Sequence, residues 1–241
     1  MWLDFERTKQ PKFKDPVMIV AVSTSMPQYR ALYSQARELA EYLLRKMEFE
    51  KIATVRSSSF PPEVLVRGDG LATLPACHFY AGGMTPGPVL FAGDASPMDE
   101  QHEFAEFLLG YCEEIGAKEL YSVGARWADN PVSPEAEPQP NGFATDGVGV
   151  ENLRRHGVNI LSEEPAPFFS SMVVAMAKER GIRGYKLSVD HGEPSPHARS
   201  VAKLLEVLSG MVGFDVDLEE LRAQAKKGTK PSKTGDGGAY H

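Results

Sequence analysis

The chain shifts between two hydrophobic rhythms. Residues 17–22, Val-Met-Ile-Val-Ala-Val, are apolar at every position and rich in β-branched side chains, which predicts a strand buried on both faces. In the following MPQYRALYSQARELAEYLLRKMEF, residues Ala31, Leu32, Ala36, Leu39, Ala40, Leu43 and Leu44 recur at helical spacing. That predicts an amphipathic helix. KIATV at 51–55 reads as the next strand. Strand, helix, strand implies a parallel sheet with a right-handed crossover.

Beyond residue 56 the pattern breaks at prolines and glycines. EVLVR reads as a short strand with CHFYAG as its hairpin partner, because Gly68-Asp69-Gly70 between them has turn chemistry. PVLFAG restores a buried strand. DEQHEFAEFLLGYCEEIG carries Phe104, Phe107, Leu108 and Tyr111 on one helical face and ends at Gly116. KELYSVGA is the next strand. RWADNPVSPEAEPQPNG, with four prolines, reads as a loop. Then follow a short helix (GVGVENLRRHG), a strand (VNILS), a helix (PFFSSMVVAMAKERG) and a last strand (YKLSVD). A long helix begins near Ser195-Pro196, and a short one has Asp217 as its N-cap. The alternation predicts a single α/β domain over residues 1–227. Over 228–238 the composition drops to Gly, Lys, Ser, Thr, Asp and Pro, which predicts a flexible tail from Gly228 to His241 that cannot bury a core.

A formal charge of −7, and no basic stripe interleaved with aromatics, argue against nucleic-acid binding. The longest apolar run is too short to span a bilayer. Cys77 and Cys112 are the only cysteines, far apart and outside any CxxC spacing. They make no disulfide framework, and reduced thiols in a cytoplasmic protein are expected.

Recognised catalytic motifs are absent: no phosphate-binding G-x-x-x-x-G-K-[ST] loop, no G-x-S-x-G elbow, no H-E-x-x-H helix. GVGVEN at Gly147 has two glycines of a dinucleotide fingerprint and lacks the third. Ligands of parallel sheets gather at the carboxyl ends of strands, which directs attention to Ser23, Thr24 and Ser25 after the first strand, to Asp94, and to Asp190-His191. Hydroxyls at a helix N-terminus suit an anion; Ser25 equally suits a plain helix cap. Asp190 and His191 form a candidate acid–base pair with no identifiable nucleophile. No metal site and no cofactor are expected.

Several stretches together resemble the proteasome assembly chaperone family in its archaeal and bacterial branch. They are Phe60-Pro61-Pro62 before a short hairpin, Gly93-Asp94-Ala95-Ser96-Pro97 after a strand, and Tyr121-Ser122-Val123-Gly124-Ala125. Pro194-Ser195-Pro196-His197-Ala198 through Leu204-Leu205, and Val216-Asp217-Leu218-Glu219-Glu220-Leu221, complete the set. The resemblance implies a nucleoside-phosphorylase-like or hydrolase-like three-layer α/β/α sandwich with a mixed, mostly parallel sheet. It also implies a homo-oligomer that acts on the core proteasome α-ring without catalysis. Proteasome-binding relatives end in a hydrophobic residue, tyrosine and any residue, a pattern that Ala239-Tyr240-His241 matches. The 14 residues of the tail span on the order of 20 Å as a flexible coil. The alternative is a small-molecule-binding or hydrolytic α/β protein with its pocket at the carboxyl ends of the strands.

Overall fold

The computed structural model describes residues 1–22, 30–66, 68–83, 87–93, 95–127, 137–163, 166–191 and 197–227. In chain order the first elements are β1 (Leu3–Arg7), β2 (Val17–Val22), α1 (Arg30–Lys46), β3 (Phe49–Ser57), β4 (Leu65–Val66), β5 (Ala72–Thr73), β6 (Cys77–Gly82) and β7 (Pro88–Gly93). They continue as α2 (Gln101–Ile115), β8 (Glu119–Trp127), β9 (Pro140–Ala144), α3 (Gly147–Arg155), β10 (Asn159–Ile160), α4 (Phe169–Glu179), β11 (Arg183–His191), α5 (His197–Val212) and α6 (Glu219–Lys227).

Among the described residues nine strands make one sheet in the order β1-β3-β6-β7-β2-β8-β11-β9-β10. The sheet is mixed, as expected, and its parallel pairings lie mainly at the centre. β7, β2, β8 and β11 run parallel to one another, while the pairings outward through β6, β3 and β1, and from β11 to β9, are antiparallel. β2 sits in the middle because every residue from Met18 to Val22 is apolar and can be covered on both faces. Met18, Val20 and Val22 pack with Phe104, Leu108, Val173 and Val174 of α2 and α4. Ile19 and Ala21 pack with Leu39, Leu43, Leu204 and Leu205 of α1 and α5 on the other side. These are the three layers of the sandwich.

Local signals read from the sequence reappear. Phe104, Leu108 and Tyr111 are buried on the inner face of α2, and Gly116 ends that helix with φ 77°, where only glycine is unstrained. Asp217 Oδ1 accepts from Glu219 N–H at 2.9 Å and caps α6. Cys77 and Cys112 share no disulfide and are fully buried, and burial pushes the Cys112 thiol up to about 12.

The strand pairings differ from the local expectation in four places. CHFYAG, now β6, does not pair with EVLVR; it fills the gap between β3 and β7, where Cys77 and Phe79 enter the core. EVLVR pairs instead as β4 with β5 in a separate two-stranded hairpin around the predicted turn. Strand β1 was not expected; Phe5 packs edge-on against Phe79, Phe107 and Tyr111, which anchors it to β3. Part of the proline-rich segment is strand β9, with Pro140 at its first residue, where a missing N–H is tolerated. The crossover from β2 through α1 does return a strand of the same direction, β3, but β7 and β6 lie between the two.

The β4–β5 hairpin has one half-buried face, Leu65 and Thr73. Alternation puts Val64, Val66, Ala72 and Leu74 on the other face, and all four are exposed. No helix among the described residues is long and apolar enough to cross a membrane.

Candidate functional site

The carboxyl ends of β8 and β11 carry a polar cluster set by strand register. Arg126 and Asp190 are direct partners across the parallel pair. Arg126 Nε–H donates to Asp190 Oδ1 at 2.9 Å, and Nη2–H donates to Oδ2 at 3.4 Å. Asn141 of β9 adds a donor to Oδ1 at 2.9 Å. Both carboxylate oxygens are therefore engaged, and each partner of the ion pair keeps about a quarter of its side chain in solvent (26% and 26%). Asp190 thus serves Arg126 and Asn141. His191 closes β11 opposite Trp127, and its side chain lies outside the described residues.

Two and four residues back along β11, on the same face, lie Ser188 and Lys186. Lys186 is 6% exposed and donates from Nζ to Ser170 Oγ at 3.1 Å. Burial alone lowers its pKa to about 8, because desolvation penalises the ammonium form. Ser122 is the register partner of Lys186, and its hydroxyl is buried without a hydrogen-bond partner among the described residues. Neither Lys186 nor Ser170 stood out in the sequence, and Ser122 did so only as part of the stretch from Tyr121 to Ala125 that carries the family resemblance. A lysine alternating with apolar residues in YKLSVD reads as an outward-facing position until a helix is known to cover it.

A concavity of about 640 Å³ opens at the opposite, amino ends of β2, β8 and β11. Asp15, Lys118, Glu119, Asp146, Lys178 and Arg183 are among its lining residues. Arg183 Nε–H reaches Asp146 Oδ2 at 2.8 Å, and Nη1 lies 3.4 Å from Glu119 Oε1. The Arg183 guanidinium, and then the Gly149 N–H at 2.6 Å, hold the Asp146 carboxyl below its usual range. Gly149 explains the incomplete glycine fingerprint. A Cβ there would lie 2.7 Å from the Ala144 side chain, so the glycine permits close packing of α3 on β9.

The remaining sequence candidates, Ser23, Thr24, Ser25, Asp94, Ala239, Tyr240 and His241, lie outside the described residues. Among the described residues no group of three His, Cys, Asp or Glu side chains is placed to hold a metal ion.

The architecture is that of an α/β/α sandwich whose polar residues collect at the two ends of the parallel strands. The chain belongs to the PAC2 family, whose model matches residues 36–230. This bears out the family resemblance seen in the sequence. An uncharacterised protein of Methanocaldococcus jannaschii is 24% identical over 194 residues, covering 79% of this chain and 74% of that one. Among solved structures, Pyrococcus furiosus PbaB, described as an archaeal proteasome activator, superposes with a TM-score of 0.80 at 18% identity, covering 93% of this chain and 95% of its own. PbaA of the same organism, described as an archaeal homolog of proteasome-assembly chaperone, gives 0.73 at 20% identity, covering 93% and 87%. A proteasome-assembly chaperone homologue of Mycobacterium tuberculosis gives 0.72 at 17% identity, covering 88% and 91%. At these identities the likeness is one of fold.

Proposed function

We propose that this protein is an assembly chaperone or activator of the core proteasome, which it engages at the α-ring through Ala239, Tyr240 and His241. The observation that carries the reading is membership of the PAC2 family, joined to a fold shared with an archaeal proteasome activator and an assembly-chaperone homologue. The tail supplies the chemistry of docking. A basic pocket between ring subunits takes the terminal carboxylate, Tyr240 contributes a rigid aromatic surface with a hydroxyl, and Ala239 adds a small apolar contact. The 14 residues from Gly228 onward let that end search for its socket. Docking of this kind requires no bond making or breaking.

The protein acts in the cytoplasm as a homo-oligomer. The apolar outer face of the β4–β5 hairpin supports assembly, since contiguous exposed apolar surface marks an interaction site. Several tails on one particle turn weak single contacts into avidity. The decisive experiment is surface plasmon resonance of the full chain against immobilised core particles. The intact protein binds; a variant lacking residues 239–241, or Tyr240→Ala, loses at least tenfold in affinity while its circular dichroism is unchanged. Equal binding by the truncated chain rules out tail docking, and absence of binding by the intact chain rules out the proteasome as partner.

A further inference from the structure

Lys186 and Ser170 belong to neither the tail nor the ion pair, and their arrangement has its own chemical logic. Ser170 lies in the first turn of α4 and is half-buried, whereas the Lys186 amine 3.1 Å behind it is buried. A hydroxyl on a half-buried residue, backed by a desolvated amine, is the arrangement that makes a serine nucleophilic, because the neutral amine can take its proton. Gly124 leaves the amine its room: a Cβ at that position would lie 3.3 Å from Lys186 Nζ.

The backbone in front of Ser170 is also unusual. Phe168, which precedes α4, has φ 78° and ψ 156°, a region that side-chain-bearing residues seldom occupy. Its carbonyl accepts the N–H groups of Ser171 and Met172, at 3.0 and 3.1 Å. The N–H groups of Phe169 and Ser170 therefore stand at the helix start with no acceptor inside the helix, where they can receive an oxyanion. The Phe168 side chain is 40% exposed beside them, an apolar surface for an acyl chain.

We infer that Ser170 and Lys186 form a serine–lysine pair for acyl transfer, with Ser170 Oγ the nucleophile and Lys186 Nζ its base, acting on small esters or amides with an apolar acyl group. Oγ forms a bond to the acyl carbon as its proton passes to Nζ, and the carbonyl electron pair moves onto oxygen. Collapse of that intermediate breaks the bond to the leaving alcohol or amine, which departs with the proton from Nζ. Water then attacks the Ser170 ester and gives its proton to Nζ. Oγ leaves and recovers that proton, and a carboxylic acid is released.

The groups facing Lys186 set the pH dependence. They are the Ser170 hydroxyl from α4, Ser122 and Gly124 from β8, and Phe143 as the register partner on β9. The charged groups next along the same face, Arg126 and Asp190, are paired to each other. Reactivity therefore follows deprotonation of Lys186, rising as pH increases through about 8.

The test treats the full chain with an alkyl fluorophosphonate probe from pH 6.5 to 9.5 and maps the labelled peptide by mass spectrometry. The expected label is on Ser170, with a rate that rises at least tenfold across that range. Ser170→Ala abolishes it. Lys186→Met lowers it at least tenfold, and Lys186→Arg does not restore it, because a guanidinium cannot act as a base. Thermal melts show that each variant is folded, so that loss of label reports the hydroxyl or the amine and not unfolding. No label at pH 9.5, a label elsewhere, or labelling of Lys186→Met at the wild-type rate each overturn the assignment.

Discussion

Tyr121 and Tyr185 stack face to face, their ring centroids 4.5 Å apart and their planes 8° from parallel. They are carried on β8 and β11, register partners in the parallel pair, and both are buried. Tyr121 Oη–H donates to Glu119 Oε2 at 2.8 Å, which ties the stack to the rim of the amino-end concavity. Burial first, and then the Glu119 charge, push the Tyr121 phenol far up.

Truncating this stack opens a large cavity between β8, β11 and their covering helices. Tyr121→Ala is expected to cost about 3–5 kcal/mol in urea unfolding. Tyr121→Phe keeps the ring and loses one hydrogen bond, for about 1–1.5 kcal/mol. In an ultraviolet pH titration, one phenol fewer should ionise near pH 10 in the folded wild type than in the unfolded chain, at the least.

Lys186 makes stability depend on pH in a defined direction. Its folded pKa is about 8, below the ordinary 10.5. Between those values the unfolded chain holds a proton that the folded chain has released, so stability rises with pH across the window. Below pH ~8 the full penalty of a buried ammonium is present. Lys186→Met should raise stability at neutral pH by a few kcal/mol and flatten the rise. Chemical denaturation from pH 7 to 9.5 reads this directly. Above that range Tyr111, Tyr121 and Tyr185 act in the opposite sense, because their raised phenols stay protonated in the fold while unfolded ones ionise.

The Arg126–Asp190 pair couples two strand ends. Arg126→Met leaves the partly buried Asp190 carboxylate with Asn141 as its remaining donor among the described contacts, at a cost of about 1–3 kcal/mol. Asp190→Asn in the same background should recover part of that loss. A double-mutant cycle on urea midpoints gives the coupling; a coupling of zero means that solvent screens the pair completely.

Val66 and Leu74 test the hairpin surface. Both are exposed, at 70% and 54%, so replacing both by Asp should change monomer stability by less than about 1 kcal/mol. If the hairpin face joins copies of the chain, the same change lowers the molar mass measured by light scattering. An unchanged mass moves the assembly interface elsewhere.

Much of the layering was legible because it rests on periodicity. The all-apolar run of β2 and the spacing of Phe104, Leu108 and Tyr111 each allow one burial pattern. The pairing partners were less legible. Gly68-Asp69-Gly70 announces a turn, but the turn cannot say whether EVLVR meets residues 72–73 or CHFYAG, since hydrogen-bonding edges carry no sequence label. β1 and β9 escaped notice because each is short and gains its stability from a neighbour distant in the chain, β3 and β11 respectively.

The sequence by itself determined where most of the chain is extended or helical, the apolar faces of most elements, the family, and the composition of the tail. Those properties follow from spacing and side-chain type within a few residues. Tertiary structure alone decided the order of strands and the burial of Lys186 next to Ser170. Lysine is ordinarily solvated on an open strand face; it loses its water here because α4, the helix that leads into β11, folds back across that face.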